Sequence, residues 1–247
     1  MARTLKAVES HGMTTHSLTE APRTGFDTAA AVTRSLLGWG VVAGPFYVVV
    51  GLALAVTRPG FDLTRHPLSV LMLGEHGWMQ RANLVLAAVM VLAAACGVLR
   101  TVRNGRGLAM ATLTGVYGAC MILSAGFRPD PVSGFPAGSE ARTVTTSGIL
   151  HLVFGAVGFL ALAGAAFAYG RWCSAAGERS RSRLGTVCGT VILLGFAGGA
   201  VLAQSVAGVG LLWLAVLAGW LWIAVAAAHL YTVVPHPVLS QRTGAGA

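Results

Sequence analysis

The sequence predicts an all-α membrane protein, a bundle of six transmembrane helices with both termini in the cytoplasm. Only 10% of the 247 residues are charged and 55% are hydrophobic, whereas a soluble domain typically carries about 25% charged residues. Six apolar segments are close to the roughly 20 residues that a helix needs to cross the hydrocarbon core of a bilayer. Arginines are concentrated in alternate connections between these segments, as the positive-inside rule requires.

The six predicted spans follow a polar N-terminal segment. Residues 1–33 contain no long apolar run before the first span, so they are expected to form a disordered cytoplasmic tail rather than a signal peptide. The membrane domain is expected at residues 34–235, and residues 236–247 form a second short cytoplasmic tail. The predicted spans are 36–57, 82–99, 108–126, 147–169, 184–204 and 210–234.

Small residues, proline and short segments shape the individual elements. Gly44 lets a neighbouring helix approach the first span closely, and Pro45 predicts a kink there. The apolar segment 68–73 is too short to cross the bilayer, so it is expected to be an interfacial helix or a re-entrant turn, with Trp78 at headgroup depth. The segment 127–136 is rich in Pro and Gly and predicts a shaped loop, because closely spaced prolines disfavour helix.

The distribution of basic residues predicts the orientation and excludes one class of partner. Twelve of the 17 Lys and Arg residues lie in the tails and in the connections after spans two and four, and five lie in the other connections. The positive-inside rule therefore places the segment 61–83 on the extracytoplasmic side. No basic stripe with interleaved aromatic residues is present, so membrane lipids rather than nucleic acid are the expected partners.

Several chemically versatile residues are expected to have only packing or anchoring roles. The four cysteines form no CxxC pair, and a disulfide framework is not supported. Cys173 is expected in a loop, and His229 is expected to snorkel to, or cap, the cytoplasmic face. Trp220 and Trp222 are expected to face lipid or to pack between helices. The cysteines are Cys96, Cys120, Cys173 and Cys188.

The candidate functional site is the set of polar residues at the extracytoplasmic ends of the spans. Ionisable residues are costly near hydrocarbon, so they mark functional sites by default. The candidates for catalysis are His66, His76, His151 and Asp130. The candidates for ligand binding are Asp62, Arg65, Glu75, Arg81, Asn83, Arg128 and Gln204.

Three interpretations of this polar set remain open. The first is a purely structural cap, in which Arg65, Arg81 and Arg128 are neutralised by Asp62, Glu75 and Asp130. The second is a binding site in which the arginines hold a phosphate or carboxylate and the spans accept apolar tails. The third is an acid–base or metal site built on the histidines and acids. No spacing identifies a particular cofactor or metal.

In combination, three motifs resemble a bacterial membrane family called domain of unknown function 998. The resemblance covers about residues 35–234, and a histidine near the start of the fourth span completes it. It implies a compact six-span bundle with the motifs on one face, and it implies no activity. The motifs are Asp62…Arg65-His66-Pro67-Leu68-Ser69, Gly74…His76-Gly77-Trp78…Gln80-Arg81-Ala82-Asn83 and Phe127-Arg128-Pro129-Asp130-Pro131…Gly134-Phe135-Pro136.

A looser similarity concerns the eukaryotic damage-regulated autophagy modulator family, whose members are tied to lipid handling and autophagy. The expected function is binding or handling of a lipid or amphiphilic small molecule in a pocket on the extracytoplasmic side. A membrane-embedded enzyme using His, Asp or Glu at the same pocket is the alternative, and a structural or accessory membrane subunit is a further one. Lys6 is the only lysine among many arginines, which indicates a GC-rich bacterial genome. For a six-span protein that resembles a bacterial membrane family, the bacterial inner membrane is the expected location.

Overall fold

The described part of the chain consists of six long helices and one short helix. In the computed structural model it comprises residues 26–139, 144–203 and 205–238, and no strand occurs within these ranges. All six long helices are sufficiently long and apolar to cross a membrane, which confirms the predicted six-span, all-α fold. They are α1 (Thr28–Thr57), α2 (Gly77–Thr101), α3 (Gly105–Gly126), α4 (Thr146–Ala175), α5 (Arg179–Val201) and α6 (Val206–Val233), with a 3-10 helix at Leu68–Met72.

The helices form a closed ring. Each helix packs against the next along the chain, and α6 packs against α1. The backbone N–H of Asp27 donates to the carbonyl of Pro237 at 3.2 Å, and Arg34 Nη1 donates to the carbonyl of Val234 at 2.7 Å. The start of α1 and the end of α6 therefore lie at one end of the bundle, called here the terminal end. The opposite end, which carries the α1–α2 and α3–α4 connections, is called the loop end.

Capping residues, rather than the limits of the apolar runs, determine where helices begin. The Asp27 carboxylate accepts a hydrogen bond from the Ala30 N–H at 2.9 Å, and the Ser205 hydroxyl accepts one from the Gly208 N–H at 3.0 Å. Such caps satisfy N–H groups that have no partner within the helix. The predicted tail boundary at residues 33 and 34 consequently falls inside α1, which begins at Thr28. Residues 1–25 lie outside the described ranges.

Helix α4 extends beyond the predicted end of its span, so the prediction that Cys173 lies in a loop is wrong. The helix continues to Ala175 and stops where Gly177 adopts a φ of +78°. A left-handed glycine just after the last turn is a common helix terminator. The chain between Tyr169 and Gly177 contains no proline or glycine other than Gly170, and the helix therefore includes the Arg171 to Ala175 segment.

The two neighbouring tryptophans on α6 pack inside the bundle. Trp220 and Trp222 are both buried, so of the two expected roles the packing role is confirmed and the lipid-facing role is wrong. Gly44 lies against Trp220, because a Cβ placed there would come within 2.8 Å of the Trp220 Cβ. The close approach of α1 and α6 therefore depends on this small residue, as the sequence predicted. All four cysteines are free.

Candidate functional site

The two connections at the loop end pack together as the sequence predicted. These connections, residues 58–76 and 127–139, are called here the loop cap. His66 is 3% exposed and joins the two loops. Its Nδ1 accepts a hydrogen bond from the Asp62 N–H at 2.9 Å, and its Nε2 lies 3.4 Å from the carbonyl of Ser133. Because carbonyl oxygens only accept, Nε2 carries the proton.

Aromatic packing reinforces this junction. The imidazole of His66 lies 5.3 Å from the ring of Phe61 and 5.4 Å from the ring of Phe135. Phe61 and Phe135 meet edge to face at 5.3 Å, a favoured aromatic geometry. His66 thus has both nitrogens engaged and both flanks packed, which gives it a positioning role. The 3-10 helix Leu68–Met72 is largely buried within the protein, since Val70, Leu71 and Met72 are almost fully enclosed; its expected interfacial position stays a prediction.

Asp62 stabilises a turn at the surface of the loop cap. Its carboxylate accepts hydrogen bonds from the Thr64 hydroxyl at 2.7 Å and the Thr64 N–H at 2.8 Å. These bonds hold the pKa of the Asp62 carboxyl below its usual range. Arg65 Nε lies 3.8 Å from the same carboxylate, and both side chains are exposed. An exposed pair of this kind contributes little to stability.

Asp130 holds Thr145, the N-cap residue of α4, instead of pairing with Arg128. The Thr145 hydroxyl donates to Asp130 Oδ1 at 2.6 Å, and the Thr145 N–H donates to Oδ2 at 3.1 Å. The carboxylate therefore sits at the positive end of the helix dipole. Within the described ranges, Arg81 and Arg128 form no ion pair with an acid. The charge-paired cap is thus wrong for two of its three expected pairs.

Gly148 makes the position of Asp130 possible, and replacing it with alanine tests this contact. A Cβ at residue 148 would overlap the carboxylate of Asp130. We expect Gly148→Ala to destabilise the protein by about 1–2 kcal/mol, as the loss of a helix cap does. The midpoint of thermal unfolding in detergent measures the effect. Gly155→Ala on the same helix is the control, since nothing lies within 4 Å of its added Cβ; equal midpoints for both variants would contradict the assignment.

His151 joins α4 to the end of α3. Its buried imidazole places Nδ1 3.0 Å from the carbonyl of Ser124 and 3.2 Å from that of Phe127. Two carbonyl acceptors require a proton on Nδ1. The Ser124 hydroxyl, 3.0 Å from Nδ1, consequently has no basic nitrogen there to accept its proton, and it donates to the His151 carbonyl at 3.3 Å. In the described part of the chain no group is hydrogen-bonded to His151 Nε2.

His151 lines a cavity in the half of the helix ring nearer the loop end. The cavity has a volume of about 150 Å³, and all six helices and the 3-10 helix contribute to its wall. Leu152 on the wall is 66% exposed, so the cavity borders the outer surface of the bundle. Most lining side chains are aromatic or aliphatic. The polar ones are Tyr47, Ser69, Tyr117, Ser124 and His151.

The other predicted site residues lie outside this cavity. Glu75, His76 and Arg128 are exposed, and Gln204 falls outside the described ranges. Asn83 is buried, and its Nδ2 donates to the Tyr47 carbonyl at 3.1 Å. Of the predicted site residues that the structure describes, only His151 lines the cavity wall. The residues that do not line it are Asp62, Arg65, His66, Glu75, His76, Arg81, Asn83, Arg128 and Asp130.

A second polar cluster at the terminal end was missed by the sequence interpretation. His229 is buried, and the Tyr169 hydroxyl lies 2.9 Å from its Nδ1. Its Nε2 lies 3.4 Å from Glu178 Oε2, so the expectation that His229 snorkels or caps is wrong. Arg181 Nη1 donates to the same carboxylate at 2.9 Å. This hydrogen bond holds the pKa of the Glu178 carboxyl below its usual range.

Comparison with known protein families identifies a match over most of the chain. The family model described as Protein of unknown function (DUF998) matches residues 41–229. The matched segment contains the loop cap, the cavity next to His151 and the polar cluster around His229. No curated protein and no solved structure matches the chain. The similarity to the damage-regulated autophagy modulator family stays a prediction.

Proposed function

Since the chain belongs to the DUF998 family of membrane proteins, whose description implies no reaction, we propose that it binds a lipid or another amphiphilic small molecule in the cavity next to His151. The supporting observation is the combination of a largely apolar wall with one unengaged imidazole nitrogen. Ligand sites are typically apolar clefts with a few polar groups that fix the orientation of the ligand. The tail of an amphiphile would pack against the apolar side chains, and its polar end would bind the imidazole.

The protonation of His151 favours a particular kind of polar end group. With the proton on Nδ1, Nε2 offers a lone pair and accepts a hydrogen bond. A hydroxyl or an amide N–H on the ligand could donate to it. A carboxylate or phosphate would instead need a second proton on the imidazole. None of the described arginines lines the cavity, so we propose a hydroxyl-bearing or amide-bearing amphiphile rather than an anionic headgroup.

The position of the cavity suggests how a ligand would enter. Leu152 borders it and is largely exposed, on a helix whose outer surface faces hydrocarbon if the six spans cross a bilayer. An amphiphile could then move in sideways from the lipid. If the positive-inside rule holds for this chain, the cavity lies in the extracytoplasmic half of the membrane. In a bacterial inner membrane, this is the leaflet that faces away from the cytoplasm.

Photolabelling of the purified protein tests the proposal. A long-chain fatty alcohol carrying a diazirine is compared with the fatty acid of the same chain length, and intact-mass spectrometry quantifies the adducts. We expect saturable labelling that favours the alcohol. Gly155 lines the cavity, and its added Cβ would meet nothing within 4 Å, so Gly155→Phe should reduce labelling roughly tenfold by filling the space, equivalent to ~1.4 kcal/mol.

Two further variants separate occupancy from recognition. Gly210→Phe is the control for bulk, because Gly210 is exposed on α6, has nothing near its added Cβ and does not line the cavity. In His151→Asn, the amide N–H can replace the donor at Nδ1, while the acceptor at Nε2 is lost. We expect this variant to be labelled but to lose its preference for the alcohol. No labelling of the unmodified protein, or equal labelling of the two Phe variants, would refute the proposal.

A further inference from the structure

Three potential metal ligands meet at the terminal end, away from the cavity. Cys173 belongs to α4, Glu178 to the α4–α5 turn and His229 to α6. One ligand atom from each side chain lies within 4.8 Å of the other two. Cys173 is fully enclosed, and the side chain of Glu178 is 33% exposed. The cluster therefore combines an enclosed thiol and imidazole with a carboxylate that gives access from outside.

One of the three separations matches that of a tetrahedral metal site, and the other two are no longer than 4.8 Å. Nitrogen and oxygen ligands bind Zn²⁺ at about 2.0–2.1 Å and thiolates at about 2.3 Å, which puts ligand atoms about 3.3–3.6 Å apart. His229 Nε2 and Glu178 Oε2 are already 3.4 Å apart. We propose that Cys173, Glu178 and His229 bind a borderline transition-metal ion such as Zn²⁺, with a fourth position left for water or another ligand.

Tyr169 orients His229 for this role. The Tyr169 hydroxyl lies 2.9 Å from His229 Nδ1, and a hydroxyl can either donate or accept. When Nδ1 carries the proton and donates to Tyr169, Nε2 presents its lone pair towards Glu178. Histidines that bind metals usually donate their other N–H to an oxygen in this way. The ring of Trp172, centred 5.5 Å from the imidazole, further restricts its orientation.

The backbone fixes two of the three ligands relative to each other. The Glu178 N–H donates to the carbonyl of Cys173 at 2.9 Å across the turn that ends α4. Gly177 makes this turn possible with its φ of +78°, since glycine adopts that conformation without steric cost. Local structure thus holds the thiol and the carboxylate close together. Only the position of His229 beside them depends on the packing of α6.

Arg181 supplies a competing charge. Its guanidinium binds Glu178 at 2.9 Å, and a cation at this distance disfavours a second cation in the cluster. Arg181 and His229 both approach Oε2 of Glu178. A carboxylate oxygen offers more than one lone pair, so Oε2 can keep Arg181 and still bind a metal beside His229. Arg181 is consequently expected to weaken metal binding without blocking it. Removing Arg181 should therefore strengthen a metal site, whereas it would only weaken a network of ion pairs.

This inference is independent of ligand binding in the cavity. Cys173 is 22 residues beyond His151 on α4, and a rise of 1.5 Å per residue separates them by about 33 Å along the helix. A substitution of Cys173, Glu178 or His229 is therefore expected to leave photolabelling unchanged. A substitution in the cavity wall is expected to leave metal binding unchanged. Failure of either proposal can be recognised without reference to the other.

Cobalt titration tests the proposed site. The full-length protein is purified without a histidine tag, reduced, freed of metal with a chelator and titrated with Co²⁺ in detergent. We expect one bound ion per chain and a near-ultraviolet charge-transfer band from the cobalt–thiolate bond, which Zn²⁺ should displace. The absence of this band in the unmodified protein would overturn the proposal, whatever the behaviour of the variants.

Variants assign the ligands. Cys173→Ala should abolish the thiolate band, whereas His229→Gln and Glu178→Gln should weaken binding roughly tenfold or more. Cys188→Ala removes another buried thiol and should leave the band unchanged. Arg181→Gln should strengthen binding, by roughly tenfold, because it removes the opposing charge. A band that persists in Cys173→Ala, or unchanged affinity in both His229→Gln and Arg181→Gln, would contradict the assignment.

Discussion

Gly185→Leu is expected to destabilise the protein strongly, by about 3 kcal/mol or more. A Cβ at residue 185 would lie 2.8 Å from the carbonyl oxygen of Ala166 and 2.9 Å from the backbone nitrogen of Gly170. These atoms belong to the backbone of α4, so they cannot move aside as a flexible side chain would. The two helices must separate, and overpacking of this kind typically costs 1–3 kcal/mol for smaller insertions. Close approach through small residues is the main means by which membrane helices associate.

Unfolding in detergent measures this effect. The thermal midpoint by size exclusion and the titration with a denaturing detergent should both shift for Gly185→Leu. Gly210→Leu on α6 is the matched control, because a Cβ added there meets nothing within 4 Å and leucine favours helix over glycine by up to ~1 kcal/mol. We expect the control to be neutral or slightly more stable. Similar losses in both variants would show that the α4–α5 contact is not tightly packed.

The six spans could be predicted from the sequence because a transmembrane helix is identified by length and apolarity alone. The ends of the helices could not be predicted, since they depend on single residues. Asp27 starts α1 about two turns before the predicted span, and Gly177 ends α4 beyond its predicted span. Hydropathy averages over many residues and is insensitive to such caps.

The meeting of the two loops was predictable, but their internal partners were not. Loops at the same end of a ring of helices are close by topology, and His66 and Ser133 confirm this contact. Which acid meets which base depends on distances of a few ångströms. Asp130 had the N-terminus of α4 as a competing partner, and helix caps are short and local. Composition therefore could not predict that Asp130 binds the N-terminus of α4 rather than Arg128.

The cluster around His229 illustrates a different limit. Its members are far apart in the sequence and come from α4, a turn and α6. Their contact requires the register of helices that are not consecutive, and spacing along the chain contains no information about that register. The weak signal that existed was an acid and a histidine near the terminal ends of two spans, in a chain with few charged residues.

The loop cap provides the second large expected effect, in the variant His66→Ala. The imidazole packs against both Phe61 and Phe135 and links the two loops through both of its nitrogens. Its removal leaves a cavity and a backbone N–H at Asp62 without its acceptor. Together these two effects should lower the free energy of unfolding by about 3–4 kcal/mol. Because the link to Ser133 is lost, hydrogen exchange should increase in residues 127–139 as well as in residues 61–66.

The comparison with other variants separates a positioning role of His66 from a chemical one. His66→Phe should retain most of the packing and lose only the hydrogen bonds, so an intermediate loss of about 1–3 kcal/mol is expected. His76→Ala is the matched control, since this exposed histidine has no comparable contacts and should change stability by no more than about 0.5 kcal/mol. If His66→Ala were as stable as His76→Ala and exchange in residues 127–139 were unchanged, the loops would not depend on this imidazole. His66 would then be available for chemistry, as the histidine pattern in the sequence first suggested.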